Sequence, residues 1–111
     1  MNMSTAYPII DLTPSEFYLS QNYPNPFSER TSIKYCVAYK TKVKLEVFDS
    51  EGEMIKVLVD EEKEAGTYEV EFSTVGMRHA SSATITLPSV VYSYQLQAGD
   101  FLNRMKMTLI R

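Results

Sequence analysis

The chain of 111 residues has no tryptophan, one cysteine and one histidine. A single cysteine, Cys36, excludes a disulfide within the chain and leaves the redox compartment open. Any histidine-based general base, triad or metal site would have to use His79. A formal net charge of −3 gives no basic surplus, so we expect no nucleic-acid partner, because phosphate binders carry an excess of Lys and Arg.

Long apolar stretches are also missing from the sequence. It has no run of about 18 apolar residues, so we expect no segment inserted in a membrane. Residues 1–10 have neither the basic n-region nor the apolar h-region of a secretory signal, and we expect no signal peptide there. The length is sufficient for one domain with a single core.

Alternating polarity dominates the chain after residue 30. A period of two indicates half-buried strands, and no stretch has a convincing helical period. The alternation occurs at residues 31–37, 43–47, 54–59, 68–72, 90–96 and 101–111. Seven or eight short strands separated by turn signals predict an all-β, two-sheet antiparallel sandwich. An up-and-down barrel is the alternative that strand counting leaves open.

The most regular pattern predicts a hairpin between residues 43 and 59. Asp49 at the first turn position and Gly52 at the fourth suit a type I turn followed by a bulge. The inward residues of the returning strand are expected to be Ile55, Val57 and Val59.

No grouping of residues indicates catalysis. Residues 60–64 form an acidic run that could offer oxygen ligands to Ca²⁺, but Lys63 interrupts it and the Asp-x-Asp-x-Asp-Gly spacing is absent, so we interpret it as a charged loop. His79 falls in a poorly patterned stretch that we interpret as an exposed loop. Cys36 has no Cys or His companion at metal spacing and is interpreted as a packed thiol. We therefore predict a protein without enzymatic activity, cofactor or metal.

Residues 19–27 depart from the alternation. Pro24 and Pro26 each fix their own φ, remove a backbone donor and bias the preceding residue toward extended conformations. Tyr23 and Phe27 flank this turn with large apolar surfaces, and we expect both to pin it onto the core. We interpret it as the start of a β-domain over residues 17–111, preceded by a flexible arm or linker at residues 1–16 that could add an edge strand.

The sequence Gln-Asn-Tyr-Pro-Asn-Pro-Phe at residues 21–27 closely resembles the opening of the carboxy-terminal sorting domains of type IX secretion cargo. These domains are related to the immunoglobulin-like domain of flagellar hook-capping proteins. Further similarities follow in the same order at the hairpin, at the next strand and at the last two strands. The resemblance assigns the structural motif to Asn22, Tyr23, Pro24, Asn25, Pro26, Phe27, Asp49, Gly52, Gly66 and Tyr92.

The resemblance implies an immunoglobulin-like sandwich that is attached to an exported cargo domain and recognised by secretion-machinery proteins. The cargo would pass through the periplasm to the cell surface or the medium. By carry-over, the recognition residues are Gly99, Lys106 and Arg111, and the terminal strand is shaped by Met105, Met107 and Leu109. The chain departs from the family at Val90, where glycine is usual, and in the longer stretch 74–86.

Two classes of function remain open from the sequence. The first is a sorting module that acts through its terminal strand. The second is a structural or assembly domain that self-associates, for which unprotected edge strands make a homodimer plausible.

Overall fold

The computed structural model describes residues 14–74 and 89–110. All regular structure in this part is β, so the expected all-β class is confirmed. No helix in these residues is long and apolar enough to cross a membrane. The seven strands are β1 (Tyr18–Leu19), β2 (Arg30–Val37), β3 (Thr41–Phe48), β4 (Met54–Lys63), β5 (Gly66–Ser73), β6 (Ser89–Ala98) and β7 (Phe101–Ile110).

The strands form two antiparallel sheets, with the orders β1-β2-β5 and β4-β3-β6-β7. The first, second and fifth strands share one sheet, and the third, sixth and seventh share the other, as strands A, B, E and C, F, G do in the immunoglobulin fold. The fourth strand pairs with the third. The fold is therefore an immunoglobulin-like sandwich of two separate sheets, and the barrel alternative is wrong.

The core lies between the two sheets, where each strand directs alternate side chains inward. An aromatic run crosses it: the ring centroids of Phe27 and Phe72 are 6.1 Å apart, and those of Phe72 and Tyr92 are 5.9 Å apart. The buried apolar residues are Leu19, Phe27, Ile33, Tyr35, Val37, Val43, Leu45, Val47, Phe72, Tyr92, Tyr94, Leu96, Ala98, Met107 and Leu109.

The predicted turn between β3 and β4 is confirmed. The N–H of Gly52 donates to the carbonyl of Asp49 at 3.0 Å, and Gly52 has a φ of 87°, which a side chain would disfavour. The Asp49 carboxylate accepts the backbone N–H groups of Glu51 and Glu53, each at 2.9 Å. Asp49 thus fixes the turn through its side chain as well as its backbone.

The returning strand β4 differs from the prediction because its register against β3 shifts twice. Leu45 pairs with Val59, but the next residue of β3, Glu46, pairs with Val57, so Leu58 is the extra residue of a bulge. Val57 is 40% exposed, whereas Leu58 packs against the core. The expectation that Val57 points inward is wrong, because the bulge changes the phase of the alternation.

The charged residues after Val59 belong to β4, which continues to Lys63, so the prediction of a charged loop is wrong. Their charges are balanced across and along the strands. Asp60 lies 3.4 Å from the Lys42 ammonium, and Glu61 lies 2.7 Å from that of Lys63. A strand of this composition is allowed because it lies at a sheet edge, where its carboxylates reach water.

Several predictions fall on residues outside the described part of the chain. These are most of the arm or edge strand predicted at residues 1–16, of which 1–13 lie outside, nearly all of the longer stretch 74–86 with His79, and Arg111.

Candidate recognition surface at the terminal strand

Residues 21–27, which we call the proline segment, cross from one sheet to the other. The backbone of Tyr23 exchanges two hydrogen bonds with Ser32 of β2, both 2.9 Å. At its other end, the segment lies parallel to β7: the N–H of Phe27 donates to the carbonyl of Thr108 at 2.9 Å, and the N–H of Ile110 donates to the carbonyl of Phe27 at 2.7 Å. The segment therefore closes one side of the sandwich.

Two side chains of the proline segment extend this cover along β7. The Gln21 Nε2 donates to the carbonyl of Lys106 at 2.8 Å. The Asn25 Oδ1 accepts the N–H of Thr108 at 3.0 Å. Together with the backbone bonds of Phe27, these contacts satisfy the outward-facing groups of β7 from the Lys106 carbonyl to the Ile110 N–H, so this half of the terminal edge is covered.

A buried polar network gives the proline segment its shape. Asn22, only 2% exposed, donates from Nδ2 to the Thr31 Oγ1 at 2.8 Å and to the Pro24 carbonyl at 3.1 Å. The Thr31 hydroxyl also donates to the Pro24 carbonyl at 2.8 Å, and Gln21 donates to the Asn22 Oδ1 at 2.7 Å. Because buried polar groups are costly without partners, each member of this network holds the others in place.

Tyr94 of β6 anchors the start of the same segment from the core side. Its hydroxyl donates to the carbonyl of Ser20 at 2.7 Å and accepts the N–H of Asn22 at 2.8 Å. Burial of the ring raises the pKa of Tyr94 to about 12, and the bond from the Asn22 backbone partly offsets this. The hydroxyl is therefore neutral at physiological pH and can act as donor and acceptor together.

The two aromatic residues that flank the prolines behave differently. Phe27 is 2% exposed, but Tyr23 is 80% exposed. The expectation that both rings pin the segment is thus right for Phe27 and wrong for Tyr23. The physical reason is alternation: Asn22 points inward, so its neighbour Tyr23 points to solvent and contributes through its backbone.

The carried-over recognition residues on β7 divide between its two faces. Met107 and Leu109 are buried in the core, at 0% and 2% exposure, and Met105 packs against it. Lys106 is exposed on the outer face. Met107 and Leu109 are therefore placed to fix the strand, and Lys106 is accessible to a partner.

Gly99 lies in the turn between β6 and β7, with a φ of 59°. A Cβ at this position would lie 3.4 Å from the Tyr39 hydroxyl and 3.5 Å from the Thr41 Oγ1. These are ordinary van der Waals distances, so the positive φ alone explains glycine here by the shape of the turn.

Arg104, which the sequence analysis did not single out, accompanies Lys106 on the outer face. Its guanidinium carbon lies 4.3 Å from the centroid of the Phe48 ring, and its Nε donates to the Gln95 Oε1 at 3.3 Å. An arginine held by a ring and an amide keeps a defined orientation. The available signal was its outward position in the alternating pattern of β7, two residues before Lys106.

An open cavity of about 570 Å³ lies beside these two cations. Its lining includes Arg104 and Lys106 on β7, Val91 and Ser93 on β6, and Asp49, Ser50 and Gly52 of the turn. The arrangement places two cations and hydroxyl groups next to an apolar surface, while the one carboxylate, that of Asp49, is held by backbone N–H groups of the turn. It can bind an extended or acidic group of a partner.

Residues 14–74 and 89–110 contain no group of three His, Cys, Asp or Glu side chains that could hold a metal ion. Cys36 is partly exposed, and its Sγ lies 3.6 Å from the Thr67 Oγ1. The features that stand out in the described residues are a covered strand edge and a cationic outer face.

The fold defines a small immunoglobulin-like sandwich, and the surface along its last strand is a candidate for recognition. The chain matches no family model, no curated protein and no solved structure.

Proposed function

We propose that this chain is a non-catalytic sorting domain that directs an attached cargo across the outer membrane by type IX secretion. Secretion-machinery proteins recognise it at β7, and the cargo passes through the periplasm to the cell surface or the medium. The observation that supports this most is the contact between the two stretches that carry the resemblance: Gln21 of the opening motif bonds to Lys106 of the terminal strand, 85 positions away.

The geometry favours recognition through side chains on this half of β7. Because the proline segment occupies the backbone edge from Lys106 to Ile110, a partner strand cannot pair there without displacing it. Arg104 and Lys106 instead present two positive charges on the outer face. Because Met107 and Leu109 are buried in the core, they fix the position of β7, and the two cations keep their places along the strand.

The test attaches residues 17–111 to a periplasmic reporter in a host with type IX secretion. We expect the reporter to reach the surface or medium. Lys106→Ala should lower export about tenfold, which corresponds to the loss of one charge-assisted hydrogen bond. Lys34→Ala is the matched control, because Lys34 is an exposed lysine on the other sheet and its loss should leave export unchanged. A reporter that stays in the periplasm with its tail intact contradicts the proposal.

A structural or assembly role is the second candidate. The observation that favours it is the other half of the β7 edge, before Lys106, which the proline segment leaves open. Light scattering of the chain with and without residues 1–16 tests whether the arm mediates association. A mass that falls to the monomer on removal of the arm supports strand exchange by the arm, and an unchanged mass contradicts it.

A further inference from the structure

Before Lys106, none of the described residues covers the outer edge of β7. β7 pairs with β6 from residue 101 to 110 without a bulge. Along β7, the backbone N–H and C=O groups of successive residues therefore point alternately toward β6 and toward the outer edge. Because Lys106, Thr108 and Ile110 direct their backbone groups outward, Leu102 and Arg104 do so as well. Within the described residues, the only hydrogen bond at these two positions on that edge is from the Arg104 N–H to the Asn103 side chain, at 2.9 Å.

This open edge lacks two features that often protect an edge strand, and Arg104 is the one charged side chain among its outward residues. It has no bulge and no proline, and its outward residue Leu102 is 60% exposed. A straight edge with an exposed apolar side chain is a template for another strand. The other edge of the same sheet, β4, has bulges and acidic residues.

We propose that the occupant of this edge is β7 of a second copy of the chain, paired antiparallel about a two-fold axis at Asn103. The two four-stranded sheets then join into one sheet of eight strands. This pairing gives the assembly role a defined surface that does not involve residues 1–16, and it is independent of the sorting role.

The charges and the backbone groups favour this register, although the Arg104 N–H must exchange the Asn103 side chain for the Leu102 carbonyl of the second copy. An axis at Arg104 would place the two Arg104 residues opposite each other, which is unfavourable, and would need the Lys106 carbonyl that Gln21 already holds. An axis at Asn103 places Leu102 opposite Arg104 of the second copy. It also places Lys106 opposite Asp100 of the second copy, so that opposite charges face each other.

The length of the open edge agrees with the same register. In this register, β7 of the second copy begins at its Phe101, and the turn before it lies opposite Lys106 of the first copy. Lys106 is also the position where the proline segment of the first copy begins to cover β7. On the face of β7 that points toward the core, Phe101 would lie opposite Met105 of the second copy, and both side chains are partly buried against the core. The uncovered part of β7 in one copy therefore has the same length as the part of β7 in the second copy that pairs with it.

Sedimentation of the full chain over a concentration series tests the pairing. We expect a reversible monomer–dimer equilibrium, and a chain that stays monomeric at its highest soluble concentration overturns the proposal. Leu102→Pro removes an N–H that only the partner uses, and proline is tolerated at such an edge position. We expect it to weaken dimerisation about thirtyfold, because each copy loses one main-chain hydrogen bond.

Leu102→Ala is the matched control because it keeps the N–H, and we expect its dimer constant to stay within about threefold of the parent. Circular dichroism and thermal unfolding establish that both variants are folded. A folded Leu102→Pro variant that dimerises like the parent overturns the proposal.

Cysteine cross-linking tests the register itself, in a Cys36→Ser background. Asn103→Cys would place two Cα atoms about 4.5 Å apart across the axis, the spacing of a non-hydrogen-bonded antiparallel pair, and this suits a disulfide. We expect a covalent dimer from Asn103→Cys on mild oxidation and far less from Arg104→Cys. The reverse result overturns the axis at Asn103. Export of a reporter carrying Leu102→Pro tests the sorting role separately.

Discussion

The two edges of the four-stranded sheet are protected in different ways. β4 protects itself locally: two register shifts break its ladder, and the acidic run after Val59 faces the solvent with lysine partners. β7 is protected from outside by the proline segment, which covers it only from Lys106 onward. The first kind of protection is encoded within the strand, and the second depends on residues far away in the sequence.

The protection of the two edges therefore depends on the rest of the fold to different degrees. The protection of β4 survives as long as its own hairpin is formed. The protection of β7 requires the proline segment to be held by Phe27, Asn22 and Tyr94, which belong to different parts of the core. We therefore expect changes at these anchors to expose the end of β7, and changes within β4 to have smaller effects.

The largest expected effect is from Phe27→Ala. Phe27 is 2% exposed and packs against Phe72, so its truncation should lower the free energy of unfolding by about 3–5 kcal/mol. Urea denaturation followed by circular dichroism measures this. Tyr23→Ala is the control: its ring is 80% exposed, and the cost should stay within about 0.5 kcal/mol. Equal costs for the two variants would contradict the anchoring role of Phe27.

A second prediction concerns pH and the Tyr94 anchor. Because its pKa in the folded chain is about 12, against an ordinary value of 10.0, the unfolded chain loses this proton first as pH rises. The stabilising effect is full below pH 10 and disappears between about pH 10 and 12, an effect of about 2–3 kcal/mol. Denaturation midpoints measured across that range should fall accordingly.

Tyr94→Phe is the variant that isolates this effect. At neutral pH it should cost about 1–3 kcal/mol, since the Ser20 carbonyl and Asn22 N–H lose their partner. Above pH 10 its stability should fall less steeply than that of the parent. A residual slope is expected because burial also raises the pKa of Tyr35. Parallel pH profiles for the two proteins would rule out Tyr94 as the titrating anchor.

The smallest effect is expected on β4, where two adjacent residues can be compared. Leu58 packs against the core but is only partly buried, so Leu58→Ala should cost about 1–2 kcal/mol, below the range of fully buried leucines. Val57→Ala should stay within about 0.5 kcal/mol, because Val57 is 40% exposed. Thermal unfolding of both variants tests the bulge. A larger loss at Val57 would mean that the strand follows simple alternation.

The sequence was sufficient to locate the strands after residue 30 and the turn that joins β3 to β4, but not the short β1 or the full length of β4. Strand alternation depends on local polarity, and the turn depends on Asp49 and Gly52, which act within a few residues of each other. Which residues of β4 point inward could not be predicted. Val57 and Leu58 are equally apolar in the sequence, and the bulge places Leu58 toward the core and Val57 toward the solvent. The extension of β4 through its acidic run also required knowledge that its neighbours carry lysines.

The surface along β7 was predictable only in part. Lys106 and the buried positions Met107 and Leu109 follow from alternation. The bond from Gln21 to Lys106 does not, because nothing in either local pattern refers to the other. Only packing of the whole sandwich places the proline segment beside the terminal strand, so the sequence identified both stretches but not their contact.

The parallel arrangement of the proline segment and β7 has a mechanical consequence. If a neighbouring domain pulls on the chain before residue 17 while the far end of β7 is held, the two stretches are drawn in opposite directions along their common axis. The four hydrogen bonds that join them, from Gln21, Asn25 and Phe27 to residues 106–110, are then loaded in shear and at the same time. Such a junction resists force more than one that opens bond by bond.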